Sequence, residues 1–176
     1  FLDDITSDEL SLEFKKSYLQ LNGQVSVGDI PADIKYISGF GKEGSTITPR
    51  IEGKILISEK MLDTLKLDIG IDWLSGSAIA FVSVDFPSNQ NPTFRLTSNL
   101  QGLEVRIPEI GWKKNPTTPV NLEVLGNIND GLKYNKFVIS GKGLEVNVEV
   151  KDNKIFEVER LLRDDILDVS GLVSED

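Results

Sequence analysis

The feature that most limits what this chain can become is a two-residue period that recurs along almost its whole length. In the run Tyr18–Val27, Leu19, Leu21, Val25 and Val27 share one parity, and Gln20, Asn22, Gln24 and Ser26 share the other. Successive side chains of an extended chain point to opposite faces, so this is a strand with one apolar face and one wet face. The same alternation marks 30–38 (Ile34 and Tyr36 against Asp33 and Lys35), 50–57 (Ile51, Ile55, Ile57) and the stretch after Gly76 (Ala78, Ala80, Val82, Val84). It also predicts strands over 10–15, 93–100, 120–128, 132–140, 144–151 and 154–162, and a short one around 166–169. Leu144, Val146, Val148 and Val150 form the cleanest stripe. Asn129-Asp130-Gly131, Gly141-Lys142-Gly143 and Asp152-Asn153 carry hairpin chemistry between these runs.

One stretch has a different period. Ser58 is a good N-cap, and Met61, Leu62 and Leu65 have helical spacing, which predicts a helix over 58–67. Short turns force sequential antiparallel pairing. The expected fold is therefore mainly β: a long, strongly curved antiparallel meander of about ten to eleven strands with one short helix. Residues 1–176 read as a single β segment, with polar, loosely ordered ends at 1–9 and 170–176.

Such a sheet has an apolar face to hide. At roughly 1.5–3 kcal/mol per large side chain, leaving about thirty of them wet would exceed the whole stability of a domain, roughly 5–15 kcal/mol. One short helix cannot cover that face. The sheet closes into a barrel, folds into a sandwich, or stays open as a groove for an apolar ligand. Sequence physics by itself favours closure.

Composition narrows the function by exclusion. The net charge of −9 opposes binding to nucleic acid, and no basic stripe offsets it. It also weighs against broad docking on an anionic membrane surface. The chain has no cysteine and no histidine. Disulfides, thiolate nucleophiles and His-based triads are thereby excluded, and the commonest metal ligand is missing. No catalytic residues, cofactor or metal are expected, and the chain reads as a non-enzyme. The Gly39-Phe-Gly41-Lys-Glu-Gly44 run matches a dinucleotide fingerprint only in letters, because Ser-Thr-Ile-Thr-Pro follows it where a helix is needed. Asp152-Asn153 lacks the regular ligand spacing of a calcium loop and reads as a turn.

The stretch 99–114 is the most distinctive. Gly102 precedes an alternating strand in which Leu103, Val105 and Ile107 interleave with Glu104 and Arg106. Pro108 ends it, and Gly111, Trp112, Lys113 and Lys114 open a polar loop. This pattern of a glycine-led strand, a proline stop, a glycine and a basic residue resembles the signature of the AsmA-like family of bacterial envelope proteins, the TamB and YhdP type. Residues 29–36 resemble that family's strand before its loop, 58–67 its short helix, and Leu74-Ser-Gly76 its entry into a new strand. The likeness covers about residues 20–160, and its order carries more weight than any single motif.

The resemblance implies a fragment of a longer protein, anchored to the inner membrane through a segment absent here and lying in the periplasm of a Gram-negative cell. It implies an open groove or half-pipe that shields or conducts the acyl chains of phospholipid or another lipid between the membranes, supporting outer-membrane biogenesis. Neighbouring β-groove segments of the same chain would be its partners. The candidate lining is Leu19, Leu21, Val25, Ile34, Ile51, Ile55, Val82, Val84, Leu103, Val105, Val124, Val146 and Val148, and Trp112, Lys113 and Lys114 are a candidate headgroup rim, whose plainer reading is a solvated loop with its tryptophan tucked under. Each lining residue has a plain reading as core, since a core and a lipid wall demand the same side chains. The alternative function is a structural or interaction β-domain of an envelope assembly, closed as a sandwich or barrel and without a ligand.

Overall fold

The computed structural model describes residues 5–27, 30–44, 46–64, 74–107, 111–129, 131–141, 143–151, 155–163 and 167–174. The strands are β1 (Ile5–Thr6), β2 (Leu10–Phe14), β3 (Tyr18–Val27), β4 (Ile30–Gly39), β5 (Arg50–Ser58), β6 (Leu74–Asp85), β7 (Thr93–Ser98), β8 (Leu103–Ile107), β9 (Trp112–Lys114), β10 (Asn121–Ile128), β11 (Leu132–Gly141), β12 (Leu144–Lys151), β13 (Ile155–Arg163) and β14 (Leu167–Ser174). Two short helices, α1 (Gly41–Gly44) and α2 (Glu59–Thr64), lie among them.

Eleven strands follow one another in the order β1-β3-β4-β5-β6-β7-β10-β11-β12-β13-β14, every pair antiparallel, and the sheet does not close on itself. The expected long antiparallel meander thus forms, open as the resemblance implies rather than closed as a barrel or sandwich. Two outer strands share one edge, because β1 pairs with Ser26 and Val27 while β2 pairs with residues 19–23 of β3. The polar lead-in expected at 1–9 therefore contributes a strand at Ile5–Thr6, and β14 runs on to Ser174, past the 166–169 stretch expected.

The meander is broken once. Between β7 and β10 the chain leaves the sequential order, and β8 pairs with the first residues of β6 (Leu74↔Val105, Gly76↔Leu103) and then with β9. The branch requires a sharp turn of the backbone, and two glycines in left-handed conformations supply it. Gly76 has φ +88° and Gly102 φ +101°. They stand face to face: a Cβ on Gly76 would collide with the Gly102 carbonyl oxygen, and one on Gly102 with that of Ser77.

Helix α2 starts where Ser58 predicts, with the Met61 N–H donating to Ser58 Oγ (3.4 Å). It is described to Thr64, and the rest of the expected 58–67 helix lies outside the described residues. The Gly39–Gly44 fingerprint ends in the single turn of α1, four residues long.

Candidate functional site

Directly opposed residues in an antiparallel ladder project from the same face, so the register maps the apolar side of the sheet residue by residue. One row across the strands is Leu21, Tyr36, Ile51, Val84 and Phe94. The next is Gly23, Ile34, Gly53, Val82, Leu96, Val124, Phe137 and Val148. A third is Val25, Ala32, Ile55, Ala80, Ser98, Leu122, Ile139 and Val146. Ser98 is the one polar side chain in the second and third rows. It is satisfied locally, donating to the Ile79 carbonyl (2.7 Å) and accepting from the Leu100 N–H (3.0 Å).

The sheet therefore has a continuous apolar face from β3 to β12. All the candidate lining residues on the main sheet lie on it: Val25 and Val124 are buried, and Leu19, Leu21, Ile34, Ile51, Ile55, Val82, Val84, Val146 and Val148 are half-buried. Leu103 and Val105 come from the β8–β9 branch, with Leu103 fully buried and Val105 half-buried. The same surface also holds Tyr36, Phe94, Leu96, Leu122, Phe137 and Ile139, which lie outside the candidate lining expected from the sequence. Tyr36 and Leu122 sit in phase with Ile34 and Val124 on their own strands, whereas β7 and β11 had contributed no residue to the candidate lining, although Phe94 with Leu96 and Phe137 with Ile139 carry the same alternation.

The strand ends form two long rims, and they differ. Along the first lie Ile30, Ile57, Ala78, Leu100, Val120 and Leu144, gathered with Met61 of α2 and with Leu103 and Trp112 of the hairpin into one buried cluster. Leu74 and Val105 pack against it. Helix and hairpin thus cover the face along this rim. Along the opposite rim stand Tyr36, Phe94 and Tyr134. There Phe94 and Tyr134 pack edge to face at 5.9 Å, and Phe137 follows at 5.4 Å from Tyr134. Burial raises the Tyr134 pKa above its ordinary value.

The headgroup rim expected at Trp112–Lys114 is corrected by the placement of two of its three residues. Trp112 is 5% exposed and belongs to the core cluster, and Lys114 is fully buried. Strand alternation explains this: with Trp112 inward and Lys113 outward, Lys114 must again point inward. Its Nζ donates to the carbonyls of Leu103 (2.7 Å) and Asn115 (3.1 Å), and burial lowers its pKa. Lys113 is exposed and lies 3.3 Å from Glu104, whose carboxyl pKa is lowered first by the hydrogen bond from Arg106.

The other face of the sheet is largely wet. Arg50 donates to Asp85 at 2.6 Å, which raises the Arg50 pKa, and Arg95 lies 2.6 Å from Glu123. Leu56, Ile79 and Phe81 are the exposed large apolar side chains there, at 45%, 45% and 59%, and Ile37, Leu125 and Val138 stand half-buried on the same face. Among the described residues no group of three or more acidic, His or Cys side chains converges on a metal position, and no helix is long and apolar enough to cross a membrane. The Asp152-Asn153 turn lies outside the described residues. Compared with known protein families, curated proteins and solved structures, the chain matches none.

Proposed function

We propose that this chain is a groove segment of a periplasmic, AsmA-like envelope protein that shields or conducts phospholipid acyl chains between the inner and outer membranes. The observation that carries the reading is the unbroken apolar face of an open sheet, two of whose rows stay apolar from β3 to β12 but for one serine. The eight strands from β3 to β12 that carry this face span roughly 34 Å at about 4.8 Å per step, a little more than the roughly 30 Å hydrocarbon core of a bilayer. An acyl chain gains about 0.8 kcal/mol for each CH2 removed from water. A long apolar surface of this kind therefore offers a chain continuous cover. The likeness of 99–114 to the AsmA-like pattern supports the same reading and suggests the periplasmic setting and the neighbouring groove segments.

The test is direct. The protein is expressed in bacteria, purified without detergent, and examined by native mass spectrometry and organic extraction. Co-purifying phospholipid is the expected result. A lipid-free protein that also leaves acyl-chain photoprobes unlinked would overturn the proposal. The second reading is a structural β-domain without ligand. It is favoured by the buried cluster along the first rim, where Leu103, Trp112 and Val120 form an ordinary closed core.

A further inference from the structure

Resting on the lipid reading above, we propose that the two rims have different roles: headgroups align along the rim of Tyr36, Phe94 and Tyr134, and acyl chains run inward toward the rim closed by the β8–β9 hairpin. Three observations carry it. First, the hairpin rim is shut. Leu103, Trp112 and Val120 are 0%, 5% and 1% exposed, and Lys114, the cation that a phosphate would seek there, is fully buried against two carbonyls. The hairpin's other two cations, Lys113 and Arg106, stand opposite each other on its outer side, both held by Glu104, so none faces the apolar surface.

Second, the opposite rim has the chemistry of a membrane interface. Tyrosine combines an apolar ring with a polar tip, and it concentrates where one end of a side chain is dry and the other wet. Tyr36 and Tyr134 both project from the apolar face and both lie toward this rim. The β2–β3 turn at the same rim adds a positive charge. Lys16 lies there with 87% of its side chain exposed, and its partner Glu43 is 3.6 Å away and 66% exposed. An exposed pair of this kind holds at most about 1 kcal/mol, so a phosphate can compete for the ammonium. Phe14 and Phe40 flank the turn, 71% and 42% exposed.

Third, the depth fits. From Ile30 at the closed rim to Tyr36 at the open one, β4 advances six residues, about 20 Å at 3.3 Å per residue. One leaflet's acyl layer is about 15 Å, half of a roughly 30 Å hydrocarbon core. A chain entering between the tyrosines reaches the hairpin wall and stops.

Two photoactivatable phosphatidylethanolamines test the assignment, one with a diazirine at the acyl terminus and one with a benzophenone on the headgroup amine. Each is loaded onto the purified chain, irradiated, and mapped by peptide mass spectrometry. The headgroup probe is expected to link to peptides containing Tyr36, Phe94 or Tyr134, and the acyl probe to peptides deeper in the face, around Ile55, Ile139 or Val146. Headgroup links on 103–114, or links shared equally between the rims, overturn the rim assignment and leave the lipid reading standing. If neither probe links and no lipid is extracted, the lipid reading falls and takes this assignment with it.

Discussion

Gly76 and Gly102 show how much of the architecture rests on single residues. Each has a positive φ, and each occupies the space that the other side of the kink would need for a Cβ. Gly102→Ala adds backbone strain of order 1–3 kcal/mol together with a collision against the Ser77 carbonyl. Urea denaturation is expected to show a loss at the upper end of that range. Gly131→Ala is the control: φ there is +128°, but nothing lies within 4 Å of the added carbon, so it should cost less. Equal losses would mean that the face-to-face contact at the kink does not matter. Lys114 makes the stability depend on pH. Burial holds its pKa below the ordinary 10.5, so the folded chain releases this proton at a lower pH than the unfolded chain does. The desolvation penalty is complete below the folded value and is relieved as pH rises from there toward 10.5. Wild type should therefore gain stability relative to Lys114→Met over that alkaline window. A difference between them that stays flat up to 10.5 would show that the buried ammonium carries no such penalty.

At the level of elements, the β8–β9 hairpin converts a sheet with two open rims into one with a wall. Its anchor is Trp112, 5% exposed in the core cluster. Removing a buried tryptophan side chain costs about 3–5 kcal/mol. In Trp112→Ala, hydrogen exchange should therefore speed up across β8 and β9 while the amides of β10–β12 remain protected. Uniform loss of protection would instead make the hairpin part of one cooperative unit with the sheet. The hairpin also marks the limit of what the sequence could reveal. Period-2 alternation located Tyr18–Val27, Leu103–Ile107 and Leu144–Lys151 to the residue, because a half-buried strand writes its two faces into adjacent positions. It could not show that β8 abandons β7 for the start of β6, since the two glycines that permit this are twenty-six positions apart and meet only in the folded chain. Strand β9 is three residues long with two lysines, too short to display a period. The candidate lining was legible because parity is local. The rims were not, because they depend on which strand ends lie side by side.

For the whole molecule, the question is whether the apolar face serves a ligand or only the fold. Adjacent residues on one strand separate the two. Val82 stands in the middle row of the apolar face, opposite Gly53 and Leu96, and Ser83 projects from the other face beside Glu52 and Arg95. A carboxylate at position 83 enters a wet, charged surface and should change stability little, within about 0.5 kcal/mol. At position 82 it enters a half-buried apolar row outside the closed cluster, where solvent can still reach it. Val82→Asp is expected to keep the circular dichroism of the sheet and to lose co-purifying lipid, with Ser83→Asp retaining both. Lipid lost equally from both variants would indicate that the charge acts at long range rather than by interrupting the apolar row. Lipid retained by Val82→Asp would place the acyl chains away from this row. Unfolding of Val82→Asp beside an intact Ser83→Asp would make the row a structural core, and would favour the β-domain without ligand.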